Sequence, residues 1–354
     1  MVMAREMRAA VFKGPYNIEI EMVPVPEIGP RDVLIRVTQS GICGSDLHSY
    51  KTGLYISHQQ VMGHEFVGLV AEVGAAVVGL AEGDRVTGFY AGVCGECFWC
   101  STGQMILCPA LFTNSTGYGL PGAFAEFVAI PSAVIGQNIW RIPDGIDDDT
   151  AATSEPVAVA LNAIVAAGIK PGDSVVILGA GMIGNASMQA AKIAGASRVG
   201  VVEVSNSRLE AARSHGADLV CDARNEVPLE WAKDNFGVGA YHFHEGAMVD
   251  VVIECAGSPA TISLAFEMVR AGGSIAFVAL PKGPELIDIS KIVHKLPRVV
   301  GSLGGDFDMA IDSLSSGAIH TSDLVTHHFS LEDTNAAFAA QLDVEEAMKV
   351  MIKP

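Results

Sequence analysis

Apolar residues recur along this chain in two different rhythms. Over roughly the first 150 residues, short apolar runs such as VLIRVT, FVGLVAEVG and AEFVAI alternate with glycine and proline turns. That spacing predicts a mostly β unit, barrel-like or sandwich-like, with few helices. From about Lys170 the strand-like runs DSVVIL, RVGVVEV, MVDVVIECAG and GSIAFVAL are separated by segments of helical period, among them MIGNASMQAAKIAG and SRLEAARSHG. Alternating strand and helix signals predict a parallel, doubly wound α/β sheet. After about Leu296 the elements shorten and mix again (VVGSL, DLVTHHFSLEDTNAAFAA), closer in character to the first part. The expected organisation is a doubly wound domain at 158–295 inserted into a β-rich domain made of 1–157 and 296–354. No internal repeat of solenoid length and no low-complexity tract is evident.

Composition narrows the class. The 354 residues exceed one ordinary hydrophobic core, and half are apolar with 38 glycines, which suits a tightly packed α/β protein. A formal charge of −18, from 40 acidic against 22 basic residues, would repel a phosphate backbone, so nucleic acid is not expected as a partner. The stretch MVMAREMRAAVFKG lacks a continuous apolar core, and VVILGAGMIGNA is too short and too broken by glycine to span a bilayer. The expectation is a soluble, cytoplasmic protein without a membrane partner. Seven cysteines, an odd number without a secretory signal, favour reduced thiols and metal ligation over disulfides.

In SVVILGAGMIGNASMQAAK, Gly179, Gly181 and Gly184 follow a predicted strand and open a helix, with Met182 and Ile183 between them. Glycines at those places give a tight turn, backbone approach to a pyrophosphate and close helix packing, with the helix N-terminus facing the phosphates. Glu203 ends the next strand at about the spacing of a ribose-binding acid. A 2′-phosphate beside it would cost about 1 to 4 kcal/mol at 4 Å, which favours NAD over NADP. Arg208, five residues later, could tolerate some NADP, and a solvated strand-end glutamate is the plainer reading of Glu203.

Two groups of metal-ligand residues stand out. CGECFWCSTGQMILC places Cys94, Cys97, Cys100 and Cys108 in a C-x2-C-x2-C-x7-C spacing. Four thiolates suit a closed, structural zinc site; a redox dithiol or an iron–sulfur cluster are the rivals, and metal analysis separates them. The second group is dispersed: Cys43 in GICGSDLH, His64 and Glu65 in MGHEFVG, and Glu155 in TSEPVAVA. One thiolate, one imidazole and carboxylates would make an open zinc site. Each also has an ordinary explanation, as a small buried hydrophobe, a core histidine and a helix cap.

Taken in order, GICGSDLH, GHEFVG, the four-cysteine lobe, SEPVAVA, LGAGMIG, VIECAGSP and LVTHHFSLE resemble the zinc-dependent medium-chain alcohol dehydrogenases over essentially the whole chain. The sorbitol, butanediol and threonine dehydrogenase branch is the nearest. The resemblance implies a Rossmann nucleotide domain inserted in a mostly β, GroES-like catalytic domain, and an enzyme. It implies one catalytic and one structural Zn2+ per chain, with Cys43 and His64 holding the former and Glu65 or Glu155 completing its shell. Ser45 matches the relay hydroxyl, and His48 the histidine that passes the proton toward solvent through the cofactor ribose. The implied reaction is reversible hydride transfer between NAD and a small secondary alcohol, a polyol or vicinal diol, giving the ketone. A threonine-type enzyme, or one acting mainly as a reductase of bulky or cyclic ketones, is the alternative. A homo-oligomer, tetramer or dimer, is implied as well. A zinc-free quinone-reductase-like relative would lack Cys43, His64 and the lobe, and a non-catalytic NAD-binding protein would show an eroded metal shell.

The sequence also departs from the sorbitol pattern. Where an aromatic residue and an Arg-Tyr pair reach the substrate in that branch, this chain has Ser49, Gly304 and Gly305, which predicts a roomier pocket with fewer partners for a long polyol. YHFHEGAMVD, with His242 and His244 alternating, reads as an exposed strand edge or loop.

Overall fold

The computed structural model describes residues 5–281 and 283–354. The β-rich part is a sheet in which Val33–Gly41 is central, flanked by Glu65–Val73 on one side and by Lys349–Lys353 on the other. Arg85–Gly88 and Ile139–Arg141 continue it past Glu65–Val73. Val325–Ser330 lies beyond Lys349–Lys353, and Phe127–Ile130 also pairs with Val33–Gly41. A hairpin of Glu6–Gly14 and Asn17–Pro24 is tied on by the bridges Ala9↔Ala125 and Val11↔Val61. The alternation read from VLIRVT and AEFVAI thus becomes antiparallel strands, with Val33, Leu34, Ile35 and Val128 fully buried.

The second unit is a six-stranded parallel sheet. In space its strands run Leu219–Asp222, Arg198–Glu203, Ser174–Leu178, Val249–Glu254, Val269–Phe277 and Arg298–Gly301. Numbered along the chain this order is 3-2-1-4-5-6, the dinucleotide-binding topology. Its central strands are near-continuous apolar runs because helices cover both faces. Val175, Val176, Ile177 and Leu178 are all fully buried. The last strand lies past residue 295, where the sequence pattern placed the end of this unit; residues 299–301 of VVGSL belong to a strand of the parallel sheet, not to the β-rich part.

The helix Ser154–Ala167 packs against both units. Its apolar face joins Val67 and Trp140 of the β-rich part to Val175 and Ile177 of the parallel sheet, and Trp140 stacks on Phe307 at 4.3 Å and 11°. The segment YHFHEGAMVD forms a small hairpin, Val238–Tyr241 with His244–Ala247, whose turn exposes Phe243 almost completely. It is the exposed element its sequence suggests. Among the described residues no helix is long and apolar enough to cross a membrane.

Candidate active site and metal centres

Strand pairing assembles the dispersed ligand group. Gly41, at the end of its strand, faces Glu65 at the start of the neighbouring one. Cys43 then caps the helix Gly44–Thr52, its backbone N–H donating to Asp46 Oδ2 at 3.0 Å. As a result Cys43 Sγ, a His64 ring nitrogen and a Glu65 carboxylate oxygen lie within 4.8 Å of one another. His64 and Glu65 are 3% and 1% exposed.

Two charged neighbours, Lys349 and Asp46, bear on the electrostatics of this cluster. Lys349 is buried, donates to the Ile42 carbonyl at 2.9 Å and is ion-paired with Glu65. Gly41 makes room for that pair: a Cβ there would sit 2.6 Å from Glu65 Oε2 and 2.8 Å from Lys349 Cε. Asp46 Oδ1 approaches His64 Nδ1 at 3.6 Å. Burial raises the Cys43 thiol, and the Glu65 charge adds to this while His64 opposes it. Burial alone would lower His64, but Asp46 and Cys43 outweigh it and hold the imidazole well above its ordinary value. Both changes mark a site short of positive charge, which is what a bound cation supplies. The soft S/N/O donor set, with the buried His64 Nδ1 turned toward the Asp46 carboxylate, fits zinc.

Glu155 stands in the first turn of Ser154–Ala167, outside the three-residue ligand cluster. Burial pushes its carboxyl up to about 7, with Glu65 adding to the rise and His64 and Lys349 opposing it.

The cysteine lobe behaves differently. Cys94, Cys97, Cys100 and Cys108 converge with all four sulfurs within 4.8 Å and no disulfide. The Cys97–Cys100 and Cys94–Cys108 sulfurs are 3.5 and 3.7 Å apart. A tetrahedron with Zn–S bonds of about 2.3 Å has edges of about 3.8 Å, so the unmodified geometry fits zinc. Backbone N–H groups of Glu96 and Cys97 bring the Cys94 thiol down to about 7, toward the ligand form.

The relay candidates share one helix face. Ser45 and His48 stand three residues apart on Gly44–Thr52. The His48 Nε2 is buried and has no partner among the described residues. Tyr118 donates to Ser45 Oγ at 3.0 Å, and its ring stacks on His64 with centroids 5.0 Å apart.

In the glycine loop, Gly179 has φ +93° and closes on Ala256, and a Cβ on Gly184 would lie 1.9 Å from the Gly179 carbonyl. Gly181 caps the helix Met182–Ile193. Met182 packs with Leu324 and Met348, whereas Ile183 is half-buried in the first turn. Glu203 accepts from the N–H groups of Ala180, Val204 and Ser205 at 2.8, 2.6 and 3.1 Å. Arg208 lies over the loop, 3.6 Å from where a Gly181 Cβ would be, and donates to the Ala347 carbonyl at 2.9 Å. Gly181, with only the Arg208 guanidinium near its missing side chain, fits a nucleotide pyrophosphate.

A second expectation is overturned. Gly304 and Gly305 do not enlarge the pocket. A Cβ on Gly305 would fall 2.1 Å from the Ala158 carbonyl, and one on Gly304, at φ +70°, would lie 3.1 Å from Ile106 of the cysteine lobe. The backbone of the helix Ser154–Ala167 and the lobe already fill that space. Ser49 is likewise buried. Sequence reasoning missed Asp46, Tyr118 and Lys349. Only Asp46 had a local signal, since C-x-x-D at a helix start has the spacing of a capping box.

A dinucleotide-type parallel sheet joined to a β unit carrying a Cys-His-Glu cluster defines a two-domain oxidoreductase that uses a metal and a nicotinamide. The comparisons agree with that class. Residues 29–144 match the family model described as alcohol dehydrogenase GroES-like domain, and 183–316 match zinc-binding dehydrogenase. The chain is 34% identical to sorbitol dehydrogenase of Bacillus subtilis, covering 99% of this chain and 98% of that protein. It is 32% identical to L-threonine 3-dehydrogenase of Bacillus velezensis, covering 95% and 96%. A Sinorhizobium meliloti protein reported as a zinc-binding dehydrogenase and solved bound to NADP superposes with a TM-score of 0.88 at 31% identity, covering 99% and 100%. The chain belongs to the zinc-dependent medium-chain alcohol dehydrogenase family, and it is an alcohol oxidoreductase.

Proposed function

We propose that the chain interconverts a small secondary alcohol, a vicinal diol or polyol, and its ketone with NAD, using one catalytic and one structural zinc per chain. The observation that carries this reading is the meeting of Cys43, His64 and Glu65 within 4.8 Å beside the helix bearing Ser45 and His48. Cys43 and His64 would hold the catalytic zinc, and Glu65 or Glu155 the remaining protein position. The four cysteines of the lobe would hold the second ion. When bound, zinc supplies Lewis-acid polarisation of an alcohol or carbonyl oxygen and the nicotinamide supplies or takes the hydride.

The residues of the chain do the rest. Lys349 shares the Glu65 carboxylate, so Glu65 can lean toward or away from the ligand cluster without becoming an unpaired buried charge. Ser45 takes the proton of the substrate hydroxyl, and His48, whose Nε2 awaits a partner, carries it toward solvent. Gly179, Gly181 and Gly184 let the backbone approach the pyrophosphate at the N-terminus of Met182–Ile193. Glu203 would face the adenosine ribose and disfavour a 2′-phosphate. Arg208, with an unpartnered Nε, and the NADP carried by the Sinorhizobium meliloti protein support a second reading in which both cofactors are used. A homo-oligomer is also proposed; the parallel sheet ends on Arg298–Gly301, with Leu296 and Val299 exposed beside it.

The test is a turnover panel of 2,3-butanediol, sorbitol, threonine and cyclohexanol with NAD and with NADP, run with a zinc count per chain. Fastest turnover of a diol or polyol with NAD is expected. Preference for threonine or cyclohexanol would replace the substrate class, equal kcat/KM for both cofactors would overturn the NAD assignment, and no turnover on any of the four would overturn the reading.

A further inference from the structure

Tyr118 touches both halves of the candidate machinery, and nothing in the ligand or glycine motifs assigns it a task. Its loop is pressed against the residues that precede His64. Gly122, Ala123 and Phe124 donate to the carbonyls of Val61, Gly63 and Met62, each at 2.9 Å. Gly117, at φ +79°, comes so close that a Cβ would lie 2.6 Å from the Gly63 carbonyl. The ring is then fixed from two sides, stacked on His64 at 29° and met edge-on by Phe112 at 5.2 Å. Held this way, the phenol O–H donates to Ser45 Oγ at 3.0 Å, its one hydrogen bond among the described residues. A phenol carries its proton at neutral pH and so serves as a donor.

We propose that Tyr118 is a positioning residue for the proton relay, its O–H filling one lone pair of Ser45 Oγ and so fixing the direction of the Ser45 proton. A serine hydroxyl has one proton and two lone pairs. With one lone pair taken by Tyr118, Ser45 keeps one lone pair to receive the substrate hydroxyl proton and one proton to pass on. Those are the two valences a relay group needs at once. Without the phenol, nothing fixes the direction of the Ser45 hydroxyl, which is free to rotate. This inference rests on the relay reading of Ser45 and His48.

Tyr118→Phe keeps the ring, its stacking on His64 and the loop packing, and removes only the donor. Turnover of the fastest alcohol in the panel is compared for the native enzyme, Tyr118→Phe, Ser45→Ala and the double variant, with zinc counted in each. Losing one neutral hydrogen bond predicts a kcat about 5- to 10-fold lower in Tyr118→Phe, with zinc content unchanged. Because Tyr118 acts through Ser45, the same change in the Ser45→Ala background should alter kcat less than twofold. An equal loss in both backgrounds, or no loss in the native background, would overturn the proposal while leaving the relay intact. Native turnover in Ser45→Ala would instead remove the relay reading, and this proposal with it.

Discussion

Lys349 and Glu65 form a buried ion pair, 4% and 1% exposed, at the back of the candidate catalytic metal centre. The two residues come from opposite ends of the chain, and the space they occupy exists because position 41 has no side chain. Removing one partner of such a pair leaves an uncompensated charge, which costs about 3–5 kcal/mol. Lys349→Met should therefore lower unfolding stability by about that amount in the metal-depleted protein. Gly41→Ala, by driving a methyl into the pair, should act in the same direction. Urea unfolding of the chelated proteins measures both, and unchanged midpoints would mean the pair is not formed in solution.

The cysteine lobe is predicted to hold structure together, not to react. Cys97→Ser should lose one zinc per chain and unfold at lower temperature, while turnover per remaining zinc stays within about twofold of native, because a closed four-thiolate site has no position for substrate. Metal analysis with calorimetry checks this. Iron in place of zinc, or loss of turnover at full folding, would reverse the assignment.

Acid stability should depend on Asp250. Its carboxylate accepts from the Ser174 N–H at 2.8 Å, the Ser174 hydroxyl at 2.7 Å and Arg270 Nε at 2.6 Å. Burial raises this carboxyl, but those partners outweigh it and hold it below its ordinary 3.8. A depressed carboxyl stabilises the fold above its unfolded value and loses that contribution as pH falls through the folded one. Asp250→Asn should thus cost about 1.5–3 kcal/mol at pH 7, and the difference should shrink below about pH 4. A difference independent of pH would show that the charge is not what stabilises the strand.

The parts of the site that were legible in the sequence are those built over short stretches. The four cysteines, the Gly179–Gly184 loop and the placement of His64 and Glu65 where a strand begins are set by local spacing. Long-range partners left no such trace. Lys349 lies 284 residues from Glu65, and Tyr118 lies 73 from Ser45, each inside an unremarkable strand or glycine-rich loop. Gly304 and Gly305 were misleading for a different reason. A missing side chain means either open space or close packing, and only the neighbour, here the Ala158 carbonyl, tells which. The strand Arg298–Gly301 was also misassigned, since four residues carry too little period to show which sheet they join.

Zinc per chain, measured together with turnover in His64→Ala, tests the central claim most directly. His64 is buried, reaches Cys43 and Glu65, and stands apart from the four-cysteine lobe. The variant should retain one zinc of two, still bind NAD, and lose at least about a hundredfold in kcat for want of the polarising ion. Two retained zincs with normal turnover would contradict the account.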